Sequence, residues 1–174
     1  MGRAGVTHGI EEFANRGGVV HRDGTAHIED GDGVGGGGSG RNTAIVRSNY
    51  LTPEGVAFYD RSLDLYNSMA QDLNLNVMFS RRGHLTLAHT DSALRTMHWR
   101  ADVNKLQGID SSVIDPQEVK KQAPSLDVSS DTRYPILGAL HHPPGGIVRH
   151  DAVVWGYARG ADHYGIHIIQ ETEV

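Results

Sequence analysis

Residues 35–51 read Gly-Gly-Gly-Gly-Ser-Gly-Arg-Asn-Thr-Ala-Ile-Val-Arg-Ser-Asn-Tyr-Leu, and no other stretch restricts the fold so strongly. Four consecutive glycines strip Cβ from the backbone, so the chain can take positive φ and lie close against a ligand. Ser39, Asn42 and Thr43 add short hydrogen-bonding side chains, and Arg41 and Arg47 add two permanent charges with fork geometry. Ala44, Ile45 and Val46 give the segment an apolar anchor. A glycine turn with small donors and two arginines suits an anionic ligand such as a phosphate or a carboxylate. A flexible Gly/Ser linker satisfies the four glycines equally well; the arginines around an apolar core argue against it.

The chain has 174 residues, enough for one domain with a sizeable core. Its net charge of -5 offers no basic surface for nucleic acid. It has no cysteine, which excludes disulfides, thiolate metal sites and cysteine nucleophiles. No apolar run approaches the roughly 20 residues that span a bilayer, and residues 1–20 carry no signal-peptide core. The simplest expectation is a cytoplasmic protein that needs neither membrane nor nucleic acid. Many of its 22 glycines crowd into the first forty residues.

Along the chain, residues 1–34 have weak periodicity, with a helical turn expected at 10–15 and a short strand at 18–21. Thr52, Pro53 and Glu54 open a helix as cap, first-turn residue and dipole complement. Its stripe runs through Val56, Tyr59, Leu63, Tyr66, Met69, Ala70 and Leu73, while Asp60, Asp64 and Asp72 read as its solvated face. Residues 76–79 and 84–89, around Ser80-Arg81-Arg82-Gly83, read as a β-hairpin. A second helix, capped at Thr90 or Asp91 and closed by Gly108, presents Leu94, Met97, Ala101 and Leu106. Asp115 and Pro116 open a third helix that Pro124 ends. A strand over 136–141, a Pro-Pro-Gly-Gly break, a fourth helix over 151–164 with Gly165 as C-cap, and a strand over 165–170 complete the chain. The helix-Gly-strand ending is half of an α/β unit, and the middle reads as α+β.

Among the eleven histidines, His141 and His142 point to opposite faces of a strand, as do His84 and His89, so a metal site is not expected. No Gly-x-Ser-x-Gly elbow supports a serine hydrolase. Gly33 to Gly38 fits a dinucleotide glycine spacing only formally, since no apolar helix follows it. Glu29 and Asp30 lie just before the glycine run; an acid there would meet a ribose only at the end of a strand, and His27-Ile28 is a poor remnant of one. Arg149-His150-Asp151 stands at a helix start, where Asp151 suits the dipole. His150 is either a cap-adjacent residue or, as a neutral imidazole, a nucleophile able to carry a covalent group.

At these places the sequence resembles the beta subunit of heterotetrameric sarcosine oxidase, within the D-amino-acid-oxidase-like flavoproteins. The likeness is carried by 36–51, by Asn76-Val77-Met78-Phe79-Ser80-Arg81-Arg82-Gly83, Leu87-Ala88-His89-Thr90, Arg133-Tyr134-Pro135-Ile136-Leu137-Gly138 and Arg149-His150-Asp151-Ala152-Val153-Val154-Trp155-Gly156-Tyr157-Ala158. It implies a partial, Rossmann-like FAD-binding α/β domain interleaved with a mixed-sheet, α+β substrate domain, truncated at both ends. The expected segments are 1–34, a glycine-rich head with a degenerate or missing βαβ unit; 35–52, the flavin segment; 53–148, part of the substrate domain; and 149–174, a return to the FAD domain.

The resemblance further implies oxidation of sarcosine to glycine, with hydrogen peroxide and with formaldehyde or methylene-tetrahydrofolate as products. It implies noncovalent FAD along Asp30, Gly36, Gly37, Gly38, Ser39, Arg41, Asn42 and Thr43. Arg47 matches the carboxylate-binding arginine of related amine oxidases, and His150 matches the histidine that carries covalent FMN. Alpha, gamma and delta subunits and tetrahydrofolate are the implied partners. The alternatives are a related FAD enzyme acting on dimethylglycine, glycine or proline, and a non-catalytic remnant that serves only as an oligomerisation module.

Overall fold

The computed structural model describes residues 18–20, 26–28, 35 and 38–169. In chain order it contains β1 (Gly18–Val20), β2 (Ala26–Ile28), a 3-10 turn (Gly38–Arg41), β3 (Ile45–Val46), α1 (Pro53–Asp72), β4 (His84–Ala88) and α2 (Asp91–Leu106). Then follow β5 (Ser112–Ile114), α3 (Pro116–Gln122), β6 (Gly138–His142), β7 (Gly146–Ile147), α4 (His150–His163) and β8 (Ile168–Ile169). The chain forms two compact units. One takes residues 1–44, 69–78 and 148–174; the other takes 45–68 and 79–147. The helical turn expected at 10–15 lies outside the described residues.

In the first unit, β2 pairs antiparallel with β1 and parallel with β8, in the register Ala26 to Ile168 and His27 to Ile169. The helix-Gly-strand ending therefore closes a parallel pair, as an α/β unit requires. Gly165 sits at φ +77 just beyond α4, the left-handed turn that ends such a helix. On α4, a Cβ at Gly156 would stand 2.9 Å from Leu73 Cδ1 and 3.3 Å from Leu75 Cδ2. The missing side chain is what lets the helix lie close to that segment.

In the second unit, β6 is the middle strand of an antiparallel sheet, flanked by β4 and β5. Its alternation divides two apolar layers. Leu140 joins Ala88, Met97 and Ala101, with Leu94 and Val113 packed against them. Ala139 joins Val119 and Ile136, with Leu85, Leu87 and Ile114. Each large side chain buried in this way contributes about 1.5–3 kcal/mol. Thr90 caps α2 by accepting from Ala93 N at 3.1 Å, and Asp115 caps α3 by accepting from Glu118 N at 2.8 Å.

The hairpin expected from 76–79 and 84–89 does not form. Strand β4 pairs with β6 instead, and Met78 takes φ +54 while its N–H donates to Asn76 Oδ1 at 2.8 Å. That side-chain turn breaks the extended run. Ser80 makes an isolated bridge to Ile147. The strand expected from residue 136 begins at Gly138. Tyr59 and Leu106, placed on apolar stripes, are exposed. No helix among the described residues is long and apolar enough to cross a membrane.

Candidate functional site

The glycine segment is a closed turn in the first unit. Gly35 sits at φ +93, and a Cβ there would stand 3.3 Å from Val154 Cγ1 of α4. A Cβ on Gly40 would run into Gly35 O. The two ends of the turn therefore touch through backbone that only glycine permits. Between them Gly38 has open space at its Cβ position, and the 3-10 turn it begins packs against α4. Arg41, Asn42 and Thr43 are exposed and Ser39 is half-buried. Asn42 works on its own loop: Nδ2 donates to Ser39 O at 2.6 Å, and Oδ1 accepts from Ala44 N at 2.6 Å. Ala44 takes φ +60, and its carbonyl accepts from Val148 N at 3.0 Å.

His150 is the first residue of α4 and is half-buried. Its neighbours Arg149 and Asp151 form a two-pronged ion pair, Nε to Oδ1 at 3.1 Å and Nη2 to Oδ2 at 2.8 Å. That pair lowers the pKa of the Asp151 carboxyl and occupies the two charges that flank His150. Asp30, Gly36 and Gly37 lie outside the described residues.

Arg47 belongs to the second unit and follows β3, which is fixed by its pairing with β7. Its Nη1 donates to Asn49 Oδ1 at 2.9 Å, and its guanidinium carbon lies 4.6 Å from the centre of the Tyr50 ring. Tyr50 stacks on Tyr59 of α1 with centroids 3.9 Å apart. Burial pushes the Tyr50 hydroxyl up, with Arg47 opposing.

Three side chains hold this segment by its backbone. His142 Nε2 accepts from Ser48 N at 3.2 Å, and Nδ1 lies 2.7 Å from Asp110 O. A carbonyl can only accept, so Nδ1 carries the proton and Nε2 is the bare nitrogen. Arg100 Nε donates to Asn49 O at 3.1 Å, and Asn104 Nδ2 donates to Tyr50 O at 2.6 Å. Ser48, Asn49, Asn104 and His142 are fully buried.

The surroundings of Arg47 are cationic. His84, opposite His142 in the β4–β6 register, has a buried Nδ1 without a partner. Burial first, then Arg47, His142 and Arg100, push its pKa down to about 4. Burial lowers the Arg100 pKa, with Arg47 adding to it. No carboxylate pairs with Arg47 or Arg100 among the described residues. A half-buried pair of cations without a counter-ion is complementary to an anion. Among the described residues no group of three His, Asp or Glu side chains gathers to hold a metal ion.

Arg47 and the glycine turn were legible in the sequence; His84, Arg100, Asn104 and His142 were not. The adjacent histidines were weighed only as metal ligands. The signal was Ser48-Asn49, short polar residues between Ile45-Val46 and Tyr50-Leu51, which demand partners from elsewhere in the chain once that segment is buried.

Residues 19–174 match the family model described as FAD dependent oxidoreductase, DAO. The chain belongs to this family. The match starts inside the glycine-rich head, earlier than the motifs from residue 36 that carry the resemblance. The chain is 48% identical over 141 residues to the sarcosine oxidase subunit beta of Rhodobacter capsulatus, covering 81% of this chain and 34% of that protein. It is 42% identical over 139 residues to the subunit beta of an Arthrobacter species, covering 80% and 34%. The likeness read from the motifs is thus borne out, and the chain spans about a third of the length of these relatives. The crystal structure of L-proline dehydrogenase from P. horikoshii superposes with a TM-score of 0.74 at 22% identity, covering 85% of this chain and 38% of that one. That agreement is one of fold, and it places the α/β and α+β units in the family's architecture.

Proposed function

We propose that this chain is the flavin-binding and substrate-anchoring portion of a sarcosine-oxidising enzyme, a sarcosine oxidase beta subunit. The observation that carries the reading is Arg47, a half-buried guanidinium held by Asn49 and Tyr50. With no acid paired to it among the described residues, it suits the carboxylate of a small amino acid. The 42–48% identity to sarcosine oxidase beta subunits favours sarcosine over dimethylglycine, glycine or proline.

The glycine turn fits a flavin dinucleotide, since Gly38 is open and Arg41 is an exposed cation beside a backbone closed on itself. Gly36, Gly37, Gly38, Ser39, Arg41 and Thr43 would hold the FAD, Asn42 would shape the turn, and Asp30 would meet the ribose. Bound FAD supplies a hydride acceptor. Arg47 fixes the carboxylate, and with it the direction in which the N-methyl group points. Loss of a hydride from the N-methyl group together with the amine proton would leave an imine, and its hydrolysis by water would give glycine and formaldehyde, or its one-carbon unit would pass to tetrahydrofolate. His150 would hold a covalent FMN, which when bound would supply an electron carrier, and hydrogen peroxide would be the product on oxygen. Alpha, gamma and delta subunits would complete a cytoplasmic heterotetramer.

The test uses the full-length subunit, coexpressed with its partner subunits, and its Arg47→Gln variant. Sarcosine should bleach the flavin absorbance of the wild type. Losing one partner of a desolvated charge pair should raise the half-saturating sarcosine concentration about a hundredfold. An unchanged concentration dependence would remove Arg47 from the site. Mass spectrometry of the peptide containing His150 should show the added mass of FMN; an unmodified peptide overturns the FMN assignment while leaving the FAD reading intact.

A further inference from the structure

The residue that organises Arg47 also organises a second guanidinium. Asn49 accepts from Arg47 Nη1 on its side-chain oxygen at 2.9 Å and from Arg100 Nε on its backbone oxygen at 3.1 Å. Asn49 is fully buried, so neither arginine can drift without breaking a bond made in the interior. Both arginines are half-buried. Arg100 comes from the middle of α2, whose position is set by Met97 and Ala101 in the sheet core, so it reaches the site from a rigid element. Two like charges held on one residue repel, and no acid among the described residues relieves them. Taking charge out of water without a compensating partner is costly, and a bound anion would offset that cost for both arginines.

We propose that Arg100 is the second cation of the anion site: one carboxylate bound at Arg47 is also drawn by Arg100, which in addition holds the Asn49 carbonyl and so positions Arg47. This rests on the reading of Arg47 as a carboxylate anchor. The pair makes the site demand an anion, because a neutral ligand leaves the repulsion in place. It also separates two properties that a purely structural residue would lose together. Removing the Arg100 charge weakens carboxylate binding, yet it relieves repulsion in the ligand-free protein.

The experiment measures acetate affinity by thermal shift and by perturbation of the flavin spectrum, in the FAD-bound full-length protein. The variants are Arg47→Gln, Arg100→Gln and Arg100→Lys. Arg100→Gln is expected to bind acetate about ten-fold more weakly, the effect of one nearby charge acting through a water-like dielectric. Its melting temperature without acetate should be unchanged or higher. Arg100→Lys keeps the charge and should recover most of the affinity. Acetate affinity within about two-fold of wild type in Arg100→Gln overturns the proposal, as does Arg100→Lys binding as poorly as Arg100→Gln. If Arg47→Gln weakens binding while Arg100→Gln does not, only the role of Arg100 falls. If Arg47→Gln binds acetate normally, the anion site itself is misassigned. Acetate titration of the wild type's Arg Nε resonances gives a readout that needs no variant to fold, and an Arg100 Nε signal that does not move overturns the proposal.

Discussion

His142 is fully buried between two backbone groups that need opposite things from it. Ser48 N requires an acceptor and Asp110 O requires a donor, and only a neutral imidazole with its proton on Nδ1 supplies both. Protonation would turn Nε2 into a donor facing an N–H. Burial accordingly keeps the His142 pKa low, and the same holds for His84, at about 4. Both are neutral when folded and titrate near the ordinary 6.5 when unfolded. The unfolded chain then binds more protons below pH 6.5, so stability falls as pH drops from about 6.5 towards 4 and is fully present above that window. Urea unfolding across this range should show the loss, and His84→Gln should flatten the slope. A slope unaltered by His84→Gln would mean that other groups carry it. His142→Leu leaves Ser48 N unpaired in the interior and should cost about 1–3 kcal/mol in urea unfolding. Because it frees the Arg47 segment, it should also weaken acetate binding. Arg47 stands out in the sequence as a guanidinium in a glycine-rich segment, and its proposed role comes from the resemblance. His142 does not stand out, because its meaning lies in partners at Ser48 and Asp110, far from it in the chain.

The elements show which sequence signals act locally. Caps are local, and Thr90 and Asp115 perform as their neighbours dictate. Strand pairing is not local. The run from residue 76 reads as extended by composition, yet Met78 turns left-handed and the sheet recruits β6 instead. Strands of two or three residues, such as β3, β5 and β7, are too short to carry a period and exist only through pairing. Glycine shows the same divide. Gly160, inside α4, would place a Cβ 3.3 Å from the flexible end of Leu73. Gly146, in β7, would place one 2.5 Å from Ser80 O and 3.0 Å from the Phe79 ring. Helix propensity favours alanine over glycine by about 1 kcal/mol, so Gly160→Ala should leave the melting temperature unchanged or raised. Gly146→Ala must push against backbone that cannot yield. It should destabilise by about 1–3 kcal/mol and disturb the β3–β7 pair that leads into Arg47. Equal melting temperatures for the two variants would show that the β7 contact gives way after all.

At the scale of the molecule, each unit is stitched from separate stretches of chain, and the residues singled out for function divide between them. The glycine turn and His150 belong to one unit, and Arg47 with its clamp belongs to the other. A sequence pattern reveals the motifs but not this partition, because helix α1 runs without interruption from residues of one unit into residues of the other. Two ligands should therefore leave two footprints in hydrogen exchange of the full-length protein. FAD at a hundred times its dissociation constant stabilises the form that binds it by about 2.7 kcal/mol, or roughly a hundred-fold in local opening. Its strongest slowing should fall on residues 38–43 and on α4, against which the glycine turn is packed. Acetate added afterwards should slow Ser48 and Tyr50, whose amides close on His142 and on Ser48 O. Strand β6, paired on both sides and buried over most of its length, should already exchange slowly and respond least. Protection by FAD that begins in β6, or acetate protection that bypasses residues 48–50, would contradict the assignment of the two anionic ligands to these two stretches.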